Sequence, residues 1–202
     1  MELCIRHFQR ASRLCALLSV FVLLSSCTSS GGGLLGPPDE TADAGKLVSE
    51  ANEDLTQIKV LYKENEGKRL EIKNALEAND AAEVKRIATD VVQIINQGRN
   101  SGFEAVDKIR EAQDMQINAD YREYLSLKEE ALKLQLEAFE NYRQAAITLR
   151  DNYDPNNAEL RDKVKADFTE RTEKYREIME RARSSSSQAN ELYKETVRKQ
   201  SQ

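Results

Sequence analysis

The chain has 202 residues, of which 32% are Asp, Glu, Lys or Arg, with a formal net charge of −5, a single histidine, three cysteines and no tryptophan. His7, Cys4 and Cys15 fall within the first 26 residues, so the rest of the chain offers no imidazole and only one thiol, Cys27. That composition argues against Ser-His-Asp and Cys-His catalysis, Cys/His zinc sites and ferritin-like di-iron sites, and the acidic balance without a continuous basic face argues against nucleic acid as a partner.

At the amino end Arg6, Arg10 and Arg13 precede an uncharged run from Leu14 to Leu24, followed by Ser25 and Ser26. Basic, apolar, small is the layout of a secretory signal peptide, here residues 1–26. The apolar run is shorter than the roughly 20 residues a membrane-spanning helix needs, which favours a removable export signal over a permanent span. Removing it takes away three arginines and one glutamate and leaves the remainder more acidic still.

The residues Leu24-Ser25-Ser26-Cys27 resemble the lipobox of bacterial lipoproteins, and the resemblance covers residues 1–27 alone. It implies that Leu24, Ser25 and Ser26 are read by a lipid transferase and a signal peptidase. Cys27 would then carry a thioether-linked diacylglycerol and an acylated amino group, such as a palmitate, and would become the first mature residue. Each buried methylene contributes about 0.8 kcal/mol, so several chains anchor stably where one does not. The same resemblance implies a membrane anchor in the cell envelope. Thr28 rather than Asp after the cysteine resembles the outer-membrane sorting pattern of Gram-negative members, which would face the protein to the periplasm.

Residues 28–40, "TSSGGGLLGPPDE", lack helical periodicity and are rich in Ser, Gly and Pro. With Cys27 they read as a flexible tether over 27–40, able to span at most about 40 Å.

From Thr41 the composition turns to Glu, Lys, Ala, Leu and Arg, and residues 41–202 read as one helical domain. Ala44, Val48, Ala51, Leu55, Ile58, Tyr62, Asn65, Arg69, Ile72 and Leu76 form a seam with alternating steps of four and three, apolar except at Asn65 and Arg69. Asp80, three residues before Glu83, has the spacing of a capping box and predicts a helix start. A second seam runs from Val84 to Ile109 and turns polar at Gln113, Gln116 and Asp120, where "DMQINAD" predicts a turn capped by Asn118 or Asp120. A third seam runs from Tyr121 to Leu149 and ends before Pro155, which removes a donor and restricts its predecessor. The last seam, Val164 to Thr196, passes in register through the "SSSS" run at 184–187.

These features predict four helices over 41–78, 81–116, 120–152 and 156–199, and an all-α, antiparallel up-down four-helix bundle with long, coiled-coil-like helices. Two alternatives stay open: a break at "QGRNSG", residues 97–102, where Gly98 and Gly102 equally suit close approach of a neighbouring helix, and a single helix over 81–152. The seams also allow pairing between chains as a homodimer.

The charged stretches read as solvated faces with pairs along the helix, and the basic end with Lys194, Arg198 and Lys199 as complement to a helix dipole. No cofactor or metal is expected. The first functional expectation is a non-enzymatic scaffold or interaction module held at the membrane against an envelope protein partner. The alternative is a small-ligand binding or sensing bundle, with a cleft near Tyr121, Tyr124 and Ser185.

Overall fold

The computed structural model describes residues 39–200; Leu24, Ser25, Ser26, Cys27 and the tether up to Pro38 lie outside the described residues, as do the side chains of Tyr62 and of residues 197–200. The described part is an all-α bundle of four helices, α1 Thr41–Glu77, α2 Ala81–Asp114, α3 Ala119–Asn152 and α4 Ala158–Gln200. Helices of 34 residues, such as α2 and α3, are about 50 Å long at 1.5 Å per residue. Among the described residues, no helix is long and apolar enough to cross a membrane.

Each turn has a local cause. Asn79 adopts the left-handed conformation (φ 54°) that ends α1; Asn79 N–H donates to Leu76 O and Asp80 N–H to Ala75 O, the two bonds that close a helix around such a residue. The Asp80 side chain then accepts from Glu83 N–H at 3.0 Å and opens α2. Glu83 does not reach back in the reciprocal bond of a full capping box, since its carboxylate pairs with Arg86. Asn118, rather than Asp120, caps α3 by accepting from Tyr121 N–H at 2.8 Å. Helix α2 stops at Asp114, two residues short of the sequence expectation, because Met115 is extended and Arg122 holds its carbonyl. Helix α4 begins at Ala158 instead of 156, because Asp154 accepts from Asn156 N–H and Asn157 from Leu160 N–H, which forms a turn around Pro155.

Gly98 and Gly102 lie inside α2, and both alternatives to the four-helix reading fall: there is no break at 97–102, and the chain turns at 115–118. The "SSSS" run is helical. The tether reading is corrected at its end. Glu40 N–H donates to Gln116 O at 2.9 Å while its carboxylate accepts from Gln116 N–H at 2.7 Å, and Asp39 accepts from Thr41 N–H. Asp39 and Glu40 therefore belong to the folded part, clamped onto the α2–α3 turn.

Pairing is antiparallel between neighbours: Lys108 of α2 reaches Asp54 of α1, Arg110 of α2 reaches Glu129 of α3, and the rings of Tyr142 in α3 and Tyr175 in α4 lie 5.4 Å apart. The buried stripes of α2 and α3 are wider than their seven-residue seams, adding Ile87, Val92, Ala105 and Ala112 on α2 and Leu125, Leu132, Phe139 and Ala146 on α3. Each of these helices packs closely against two neighbours and needs a broad apolar face. The core has two parts. One joins the end of α1 to the start of α4 around Ile72, Val91, Tyr142 and Phe168, and the other, richer in alanine, surrounds Val48, Ile109 and Leu125. The backbones of α1 and α4 stay farther apart than those of the three consecutive pairs.

Across the helix faces, Glu129 gathers three partners: Arg110 Nε at 2.7 Å and Gln113 Nε2 at 2.9 Å from α2, and Lys133 from its own helix. Burial pushes its carboxyl up, but these donors outweigh that and hold it down at about 2, against an ordinary 4.5. A depressed carboxyl adds stability that is complete above the unfolded value and lost as pH falls toward the folded one. Denaturation midpoints should therefore drop as pH falls from 4.5 toward about 2, a window Glu140 shares. In Glu129→Gln the drop should be shallower; an unchanged acid profile would show that the three donors do not act on Glu129 in solution.

Candidate functional site

The wide α1–α4 edge carries the surface relief of the bundle. Toward the end where α1 finishes, a groove of about 580 Å³ lies between Glu66, Arg69, Leu70 and Lys73 of α1 and Phe168, Thr172 and Arg176 of α4. Its charges include pairs along single helices: Arg69 with Glu66 at 3.0 Å, Lys73 with Glu77 at 3.8 Å and Arg176 with Glu173. Leu70 stands 62% exposed on its rim. Behind the groove Tyr142 packs against Phe168 and Tyr175, and its hydroxyl is buried without a hydrogen-bond partner. Tyr142 is thereby shut off from water, because these two aromatics pack against a ring that the core already encloses.

Farther along the same edge, toward the start of α1, the floor of the gap is α3. A pocket of about 250 Å³ opens there, lined by Asn52 and Lys59 of α1, Tyr124, Lys128 and Gln135 of α3, and Ser186 and Asn190 of α4, with Leu55, Leu132, Ala131 and Ala189 as its apolar wall. Helical periodicity explains the grouping: 52, 55 and 59 share one face, as do 124, 128, 131 and 135, and 186 and 190 are one turn apart. Lys128 Nζ donates to Asn52 Oδ1 at 2.7 Å and sits 6.0 Å from the Tyr124 ring centroid. Burial, and then the nearby Lys59 ammonium, depress the Lys128 amine from its ordinary value.

The three residues anticipated for a cleft are placed as follows. Tyr121 and Tyr124 are both buried, with ring centroids 5.5 Å apart, and Tyr124 continues the stack to Tyr193 of α4 at 5.1 Å. Burial first, then the neighbouring tyrosines, push the Tyr124 phenol up to about 12; burial followed by Tyr193 raises Tyr121. Only Tyr124 of the three lines the pocket. Ser185 is buried, and Ser186, one residue on, takes the place at the opening. Tyr124 is level with Tyr193 and Ala189, which shifts the register of the pair by roughly one to two turns from Ser185.

Lys59 and Lys128 escaped the sequence reading because lysines in so charged a chain read as solvent-facing. A signal was present: neither has an Asp or Glu three or four residues away on its own helix, whereas Lys46, Arg69, Arg86 and Lys133 all do. Comparison with protein families, with curated proteins and with solved structures finds no match to this chain.

Proposed function

We propose that the protein is a lipid-anchored lipoprotein of the bacterial cell envelope, in which a non-enzymatic four-helix bundle serves as a docking module for another envelope protein. Cys27, with Leu24, Ser25 and Ser26 before it, supplies the anchor, and the Ser/Gly/Pro segment supplies reach. Anchoring confines the bundle to a thin layer and raises its effective concentration against a membrane-bound partner. The observation that carries the docking role is the open α1–α4 edge, with Leu70 exposed above a groove of about 580 Å³. An antiparallel bundle built only for stability would close that edge with interdigitated side chains.

Replacing Cys27 with alanine is expected to move the protein from the membrane to the soluble envelope fraction while leaving its helical circular dichroism and melting temperature unchanged. Retention of the variant in washed membranes would remove the lipid anchor from the proposal. A photoreactive residue placed at Leu70 or Thr169 should capture one envelope protein in intact cells, and the same residue at Lys85 on the closed side of the bundle should not. Equal capture from both faces would discard the groove as the docking surface.

A further inference from the structure

We propose that the pocket between Lys59 and Lys128 binds a small anionic molecule through a carboxylate or phosphate group. This reading is independent of the docking role, since it rests on a different part of the α1–α4 edge and on different residues.

Two cations converge on the pocket, and among the described residues no carboxylate lines it. Three other cations that cross between helices meet anions instead: Lys108 reaches Asp54 at 2.9 Å, Arg110 reaches Glu129 at 2.7 Å, and Arg99 reaches Glu140 at 3.3 Å; Lys165 takes a neutral oxygen, that of Asn79, but as a single cation. An ammonium withdrawn from water is costly unless an anion or several acceptors replace its hydration. Lys128 has one neutral acceptor, the Asn52 amide oxygen, and a ring face. It is held instead beside a second lysine, which disfavours its charge further. An anion between Lys59 and Lys128 reverses both penalties at once.

The remaining lining gives the ligand its shape. Gln135, Ser186 and Asn190 supply neutral donors around the cations, and Leu55, Leu132 and Ala189 face the same space. A volume of about 250 Å³ falls just below the range of about 300–1,000 Å³ usual for drug-sized ligands. The occupant is therefore a small molecule with one or two negative charges at one end and a short apolar body.

The test uses the full-length protein in detergent, titrated calorimetrically with inorganic phosphate and with succinate at constant ionic strength set by chloride. One of these probes is expected to bind with a stoichiometry of one. Lys59→Gln should weaken it at least about 10-fold, and the double variant Lys59→Gln with Lys128→Met should abolish it, while Lys85→Gln leaves it unchanged. Because Lys128 is partly buried, a second readout guards against misfolding: the nitrogen resonance of the Lys128 ammonium in the unmodified protein should titrate at higher pH when the probe is bound. Mixed micelles decide the source of the group. Competition by phosphatidylglycerol added to the detergent micelles and none by phosphatidylcholine assigns it to a lipid headgroup, and no competition by either assigns it to a free solute. Equal affinity in the double variant, no heat from either probe, or an unmoved Lys128 titration would overturn the proposal.

Discussion

Replacing Gly102 with leucine is expected to destabilise the bundle by about 3 kcal/mol, read as a lower urea midpoint at unchanged slope. A Cβ at this position would fall 2.4 Å from Leu136 Cδ2 and 3.3 Å from its Cγ, with Ile58 Cδ1 at 3.5 Å. Alanine introduces only that one atom and regains about 1 kcal/mol of helix propensity. The end of the Leu136 side chain can swing aside, but its branch point must also yield, so Gly102→Ala is expected to lose about 1 kcal/mol net. Leucine adds three more carbons to a place already filled by side chains from α1 and α3, and overpacking dominates. Gly67 provides the control: its Cβ would meet nothing within 4 Å, so Gly67→Ala should gain close to the full propensity difference of about 1 kcal/mol. If Gly102→Leu were as stable as the parent, α2 could not be seated against α1 and α3 at this level as described.

Converting Asn65 to leucine should raise stability by about 2 kcal/mol. Asn65 is only 3% exposed, and neither its Oδ1 nor its Nδ2 has a hydrogen-bond partner. It borders a small cavity of about 20 Å³ whose other lining includes Ile58, Leu61, Ile95 and Phe139. Asparagine and leucine have the same branched outline, so the exchange removes two desolvated polar atoms, and the added bulk of the methyl groups is directed at the adjoining cavity. A fall in stability, measured by the same urea titration, would mean that the amide is satisfied by a bound partner such as water. A rise would leave a question of selection: a polar residue kept in an apolar seam at a cost in stability is a known means of fixing helix register.

Most of the architecture was legible in the sequence because it depends on local chemistry. Asp80, Asn118 and Pro155 mark turns through their own backbone and side-chain geometry, and the heptad seams show which face of each helix turns inward. The seam through Ser185 likewise indicated helix where composition suggested a linker. Other features depend on how four faces meet and have no local signature. Nothing near Asn79 announced that its side chain would accept from both Tyr153 Oη and Lys165 Nζ, at 3.1 Å each. Glu40 reads as the end of a tether until Gln116, 76 residues away, is brought beside it. The pocket was only half legible: Tyr124 was among the residues expected at a cleft, but Lys59 and Lys128 are defined by the absence of a carboxylate from the pocket lining, which a seam on one helix cannot show.

The Glu40 clamp also determines how the bundle bears load. Tension on the segment before Asp39 does not act first on the turns of α1; it meets the two bonds between Glu40 and Gln116, both at the corner where α2 passes into α3. The pull is thereby shared with the two helices that each pack against two neighbours, and α1 can peel from its end only after that corner has released. Glu40 acts as a strain relief, like the grip that keeps a cable from being drawn out of its plug.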